Sequence, residues 1–431
     1  MTVRVTPDAL SAALGQFPPT AEQAAVIAAP LAPALVVAGA GSGKTETMAG
    51  RVVWLVATGA VRRDEILGLT FTRKAAGELA DRIQRRLQRL GEFECRGLVP
   101  HLDALHAAGR LDVLGELERA GASEVARRAV LDGLASACGA HPSQPTADAD
   151  TLLHRPTVST YNSFADAIVR EHAVRVGRDP EAAVLSESAA WLLMRRVVLE
   201  SDDERLELRD EALRTIIDGA LRIARDAVDN RVDLDELAAF PARFADVLER
   251  PSAKAGVGVY ADVVRAAGRV GGLGVLADLA REYGRRKRRL GVIDFSDQVA
   301  GAFDVLAGAS AAASTGGNGV ADELRDRHRV VLLDEYQDTS VVQTDFLAAA
   351  FRDAAVMAVG DPHQSIYGWR GASAGNLGGF AAAFSSSGTA STYALMTSWR
   401  NSVEVLTAAG AVLAPLADSA PVAVEPLRPR P

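Results

Sequence analysis

Two short stretches carry residues whose types and spacing could do phosphate chemistry. The first, Leu35 to Thr45, reads LVVAGAGSGKT: an apolar run, a series of glycines and a Lys-Thr ending. A buried parallel strand turns into a helix in this way when the turn between them cradles phosphate. Gly39, Ala40, Gly41, Ser42 and Gly43 make that turn, so their backbone N–H groups can converge on phosphate oxygens. Lys44 adds a point charge for the β and γ phosphates, and the Thr45 hydroxyl suits Mg²⁺. Ala38 stands where the general pattern has its first glycine, which leaves the converging turn intact. The stretch predicts binding of ATP or GTP. The second stretch, RVVLLDEYQDTS from Arg329 to Ser340, is the continuous apolar run of a parallel strand covered on both faces, ending in adjacent carboxylates. Asp334 is placed to hold Mg²⁺ directly or through water. Glu335 can orient and deprotonate an attacking water.

Other polar residues fall where further strands must end. Gln23 lies in QFPPTAEQAAVI behind Thr20, a good helix N-cap, and its amide could read both edges of adenine. ILGLTFTRKAAGELADRI, Ile66 to Ile83, predicts strand, loop and helix, with Phe71, Thr72, Arg73 and Lys74 at the carboxyl end of the strand. One aromatic beside two cations suits a phosphate backbone with a stacked base; an ordinary solvated loop is the alternative. TVSTYNSFADAIV repeats the pattern and puts Tyr161 and Asn162 at its turn, where they too are candidates for DNA contact. VMAVGDPHQSIYGWRGA adds Gln364, suited to sensing the γ phosphate, and Tyr367, Trp369 and Arg370, which make a stacking surface or a packed aromatic turn. LMTSWRNS ends a further strand with Trp399 and Arg400.

Composition bounds the rest. The 431 residues, 48% apolar and 24% charged, are an ordinary globular balance for two or three domains. A net charge of −8 argues against coating nucleic acid by bulk charge, so any DNA contact must be focal. Cys95 and Cys138 are too few for a zinc or iron–sulfur set, and no metal beyond Mg²⁺ is expected. The start, MTVRVTPDAL, has no uncharged hydrophobic segment, and a cytoplasmic protein without a membrane span is the expectation. Residues 87–157 read as helical and lead into a Pro-, Asp- and Ser-rich exit at 141–150, and 180–290 read as almost entirely helical. The cationic run Arg281 to Arg289 reads as a solvated helix face, with nucleic-acid contact as its alternative, and Ala309 to Gly319 as a low-complexity loop.

In this order the segments resemble superfamily 1 DNA helicases of the UvrD, Rep and PcrA type. TAEQ is similar to their Q motif, GAGSGKT to motif I, TFTRKAAGEL to Ia, STYNSF to Ib, LLDEYQDTS to II, VGDPHQSIYGWRGA to III and TSWRNS to IV. The wording of TFTRKAAGEL and STYNSF further resembles the motor subunits of actinobacterial helicase–nuclease machines of the AdnAB kind. The resemblance implies an α/β fold: a RecA-like P-loop NTPase domain with a mainly parallel sheet and an inserted helical subdomain. Its domain 1A would comprise residues 1–88, 157–179 and 293–402, with a helical insertion at 89–156 and helical subdomain 1B at 180–292. It implies an ATP- and Mg²⁺-dependent 3′–5′ DNA helicase or translocase of repair or recombination, acting on single strands and 3′-tailed duplexes, with a second motor or nuclease subunit as a possible partner. Gln23 and Trp399 would contact adenine, Lys44 and Thr45 the phosphates and Mg²⁺, Asp334 the Mg²⁺, Glu335 the lytic water, and Gln364 and Arg400 the γ phosphate. Phe71, Tyr367 and Trp369 match aromatics that contact single-stranded bases. Glu46 occupies a position often held by Arg, and Asn162 one often held by His. Nothing resembles motif V or VI; residues 403–431 read as the start of a second motor domain or a tail, and their end, APVAVEPLRPRP, is Pro-rich without helix or strand pattern. The chain is then a fragment or is completed by a second polypeptide. On that reading an ATP- and single-stranded-DNA-binding module, without helicase activity alone, is the other expectation.

Overall fold

The computed structural model describes residues 4–140, 154–177, 179–207, 211–250, 258–313, 319–366, 375–415, 422 and 424–430. Ten strands are present among them. In chain order they are β1 (Ala34–Ala38), β2 (Ile66–Thr70), β3 (Thr157–Thr160), β4 (Ala183–Val184), β5 (Val292–Ile293), β6 (Val330–Leu333), β7 (Ala355–Gly360), β8 (Ser391–Leu395), β9 (Thr397–Ser398) and β10 (Arg428–Pro429). Six form one sheet in the order β3-β2-β6-β7-β1-β8, and all its pairings are parallel. Crossover helices cover both faces of such a sheet, which is why β1, β2 and β6 are buried at every position and read as unbroken apolar runs.

Alternation along each strand sends neighbouring side chains to opposite cores. Val36, Leu332 and Met357 face one core, built with the helices Pro7–Ala13, Lys44–Ala57, Arg73–Glu94 and Glu124–Cys138. Leu35, Val37, Leu69, Val331 and Leu333 face the other, with Tyr161–His172, Phe295–Ala313, Val341–Phe351 and Gly375–Phe384. The helices from 73 to 138 therefore share the sheet's own core. The exit at 141–150 lies outside the described residues. Residues 309–313, expected as loop, extend the helix that starts at Phe295, because its alanine-rich end favours helix intrinsically.

A separate core holds the helical block. Met194, Val197, Ile216, Ile217, Ala220, Leu279 and Tyr283 pack between the helices Glu187–Leu199, Leu213–Asp229 and Leu273–Leu290. The chain enters and leaves this block side by side, because β4 pairs with β5. The cationic run stays on an exposed helix face at Arg285, Arg288 and Arg289 and buries only Lys287: Arg285, Arg286 and Arg289 pair with Glu282, Arg286 also reaches Glu200, and Lys287 lies between Asp294 at 2.8 Å and Asp297 at 2.5 Å.

At the carboxyl-terminal side Val403–Leu413 form a helix, and the Pro-rich end 420–431, expected to lack a strand, contributes β10, which pairs with β9. Arg428 N donates to Met396 O at 2.7 Å. Proline is tolerated in such an edge strand, where the N–H it lacks would face solvent and not the ladder. Leu395 is buried as the last residue of β8. No helix among the described residues is long and apolar enough to cross a membrane.

Candidate nucleotide and nucleic-acid site

The turn from β1 into the helix Lys44–Ala57 needs left-handed backbone at Gly41 (φ 75°) and Gly43 (φ 83°), which explains two of its glycines. Neighbours enforce the same choice: a Cβ on Gly41 would lie 2.6 Å from Arg400 Cβ, and one on Gly43 2.8 Å from Gln23 Nε2. Ser42 Oγ is buried without a hydrogen-bond partner among the described residues. An orphaned hydroxyl within a ring of converging amides fits an anionic oxygen. The helix then carries Lys44 and Thr45 in its first turn, where its dipole favours negative charge.

Lys44 Nζ lies 2.8 Å from Glu335 Oε2, joining residues 291 positions apart. Glu335 follows β6 with a left-handed backbone, φ 50°, a conformation that costs a residue with a side chain about 1–3 kcal/mol. Asp334, just before it, is fixed by its own N–H on Leu69 O at 2.8 Å and by Tyr161 Oη, which donates to its carbonyl at 2.8 Å. Burial, and next the charge of Glu335, push the Asp334 carboxyl up to about 6. A cation beside it would restore the ionised form. Among the described residues no cluster of three or more His, Cys, Asp or Glu could hold a metal. A hydroxyl at Thr45 and one carboxylate at Asp334 instead suit Mg²⁺, which keeps waters and takes phosphate oxygens.

Gln337, which sequence reasoning missed, orders this corner. Its Nε2 donates to Glu335 Oε2 at 2.8 Å while its Oε1 accepts from Asp361 N at 3.0 Å, so the ends of β6 and β7 are tied through one buried amide. Asp361 in turn accepts from His363 N at 2.9 Å and from Gln364 Nε2 at 2.5 Å. Asp338 is also pushed up to about 6, by burial and by Glu335. Arg51 is the second residue missed. Buried in the middle of the P-loop helix, it donates to the carbonyls of Val26, Ile27, Ala29 and Pro30, collecting the open end of the helix Ala21–Ile27. Periodicity marks an apolar face there and gives no warning of an arginine, whose burial lowers its pKa to about 10.

Gln23 sits at the other end of that short helix. It completes a capping box with Thr20, through Oε1 on Thr20 N at 3.0 Å, and its Nε2 donates to Ser42 O at 3.2 Å. Its oxygen is thus committed, and the group left for a base is the second Nε2 hydrogen. Trp399 N donates to Gly41 O at 2.9 Å, and its side chain stays 47% exposed beside an exposed Arg400. Leu427 closes over the loop: a Cβ on Gly39 would meet its side chain.

The residues expected along a nucleic-acid track separate into three groups. Thr72, Arg73 and Lys74 are exposed at the carboxyl end of β2, with Thr72 capping the helix Arg73–Glu94, and Phe71 is half-buried against the core. Tyr161 is a correction: it is 2% exposed, drawn into the core by its bond to Asp334, and offers no face for stacking. Asn162 spends its amide on Phe295 O at 2.9 Å and on Gln343 Nε2 at 3.0 Å. Tyr367, Trp369 and Arg370 lie outside the described residues.

A phosphate-binding turn facing a paired acid, at the carboxyl edge of a parallel sheet, defines the class: a P-loop NTPase domain with a RecA-like α/β fold. The chain belongs to the UvrD/REP helicase N-terminal domain family, whose match covers residues 19–385. Over 390 residues it is 24% identical to DNA helicase II of Haemophilus influenzae, covering 90% of this chain and 39% of that protein. It is 26% identical over 397 residues to the ATP-dependent DNA helicase PcrA of Leuconostoc citreum, covering 91% and 38%. It is also 25% identical over 393 residues to the RecBCD enzyme subunit RecB of Mycolicibacterium smegmatis, covering 86% and 29%. The chain thus spans about two fifths or less of the length of these relatives.

Proposed function

We propose that this chain is the nucleotide-hydrolysing part of an ATP-dependent DNA helicase or translocase, moving 3′ to 5′ on single-stranded DNA in repair or recombination. The observation that carries the reading is the 2.8 Å pair between Lys44 and Glu335, which brings the P-loop cation onto the acid at the end of β6. Nucleotide entering the loop takes Lys44 onto its β and γ phosphates. Among the described residues Glu335 then keeps the Gln337 amide as its side-chain partner and can accept a proton from water. Thr45 and Asp334 would hold Mg²⁺, which would supply charge neutralisation at the phosphates. Gln23 and Trp399 take the base, and Gln364 and Arg400 face the γ phosphate. Phe71, Thr72, Arg73 and Lys74, with Tyr367, Trp369 and Arg370, form the DNA track. Residues 1–88, 157–179 and 293–402 act as domain 1A and 180–292 as the helical subdomain 1B, with a second motor or nuclease subunit as partner in the cytoplasm.

DNA-dependent ATP hydrolysis by the purified chain tests the reading. Stimulation of turnover by a single-stranded oligonucleotide is expected. Saturable binding of ATP and DNA with no hydrolysis would replace the motor with a nucleotide-dependent binding module, and binding of neither would remove both.

A further inference from the structure

Arg231 holds left-handed backbone, φ 53°, as Glu335 does. It follows the helix Leu213–Asp229 of the helical block, where Arg231 N donates to Val228 O at 3.2 Å and Val232 N to Ala227 O at 2.8 Å, a helix end that glycine ordinarily closes. A side chain in so strained a place persists only where its surroundings hold it. The contacts that hold Arg231 lie outside its own block. Its Nη1 is 2.6 Å from Asp345 Oδ2 on the helix Val341–Phe351, and its guanidinium carbon stands 4.2 Å from the centre of the Phe303 ring on the helix Phe295–Ala313. One planar fork thus joins the helical block to two helices that cover the sheet, by charge on one and by stacking on the other.

The residues beside Asp345 lead back to the paired acids. Gln343 Nε2 donates to Asn162 Oδ1 at 3.0 Å, and the neighbour of Asn162, Tyr161, holds the Asp334 carbonyl through its hydroxyl at 2.8 Å. Thr344 Oγ1 lies 3.3 Å from Thr339 Oγ1, which donates to Tyr336 O at 2.7 Å in the turn directly after Glu335. We propose that Arg231 is a positioning residue for hydrolysis: from the helical block it braces the helix Val341–Phe351, and through the first turn of that helix it fixes Asp334 and Glu335. The inference rests on the nucleotide-hydrolysing reading above.

Arg231→Gly, Asp345→Asn and the double variant of the full chain test it, by amide hydrogen exchange and by ATP turnover with a saturating single-stranded oligonucleotide. Glycine suits the left-handed turn, so the first variant removes the brace without opening the helix end. Exchange across residues 336–345 should quicken by about 2- to 30-fold in each single variant, the size of a coupling carried through packed and hydrogen-bonded neighbours, while β1 exchanges as in the parent. Within the same range kcat should fall, with KM for ATP inside about twofold of the parent. The double variant should match the single ones, because the two residues act as one contact. Unchanged exchange and kcat in Arg231→Gly would overturn the proposal. Faster exchange confined to the helical block, with kcat unchanged, would make Arg231 a contact of stability alone and overturn it too, as would losses that compound in the double variant. A parent that hydrolyses no ATP would instead remove the reading on which the inference stands, and exchange over 336–345 would still decide the brace.

Discussion

The molecule holds two lysine–carboxylate pairs at the same 2.8 Å distance, and they sit in opposite surroundings. Lys287 and Asp294 are 8% and 3% exposed, with Asp297 as a second partner on the lysine. Lys44 and Glu335 are 12% and 35% exposed, at the open edge of the sheet. A closed pair is permanent, because losing one partner leaves a charge that water cannot reach. A half-open pair can trade one partner for a ligand. The first locks the helical block to the segment after β5; the second, on the proposed function, would hold a cation and a general base poised until phosphate arrives.

The comparison breaks most visibly at Lys287. Replacement by Met should cost about 3–5 kcal/mol of stability by stranding Asp294, read as a lower urea midpoint. A midpoint unchanged from the parent would mean that the buried pair contributes nothing net.

Glu335→Gln comes next, with an effect confined to chemistry. The amide can position a water but cannot take its proton, so nucleotide and Mg²⁺ binding should persist while single-turnover hydrolysis falls by about 10²- to 10⁴-fold. Equal rates in quench-flow would assign the base elsewhere.

Asp334 gives a pH test. Its folded value, about 6, lies above the ordinary carboxylate range, so ionising it costs stability. That cost is full above about pH 6 and is relieved as pH falls towards about 4, a difference of up to ~3 kcal/mol. Asp334→Asn should flatten the stability profile across that window. In the parent, Mg²⁺-dependent nucleotide binding should weaken as pH drops through about 6, and a binding profile flat from pH 5 to 8 would separate Asp334 from the cation.

The smallest effect concerns Arg73 and Lys74. Both are exposed, and removing either cation from a phosphate should lower the salt slope of single-stranded DNA binding by about 0.7. An Arg73→Ala/Lys74→Ala chain with the parent's slope in a fluorescence anisotropy salt series would remove β2's loop from the track.

These outcomes also mark how far the sequence can be read. The strand-to-helix turns at Gly39–Gly43 and Thr70–Arg73 were legible because glycines, a capping threonine and unbroken apolar runs each leave a local signature. The acids at 334 and 335 were legible because a covered parallel strand has to end before charge appears. Tyr161 was misread because an aromatic at a strand end serves equally as stacking face or core, and only the position of Asp334's carbonyl decides between them. Gln337 and Arg51 were missed because their partners, Asp361 and the carbonyls after Val26, come close only through the fold. The pairing of β10 with β9 was invisible for the same reason, since two residues beside prolines carry no period.

The most direct test of the account is an ATP titration of the parent and Lys44→Ala chains with a fluorescent analogue, alongside urea unfolding of both. The half-open pair predicts saturable Mg²⁺-dependent binding in the parent, no measurable binding in the variant, and midpoints that coincide because Glu335 becomes solvated once its partner is gone. Equal affinity in the two chains would contradict it.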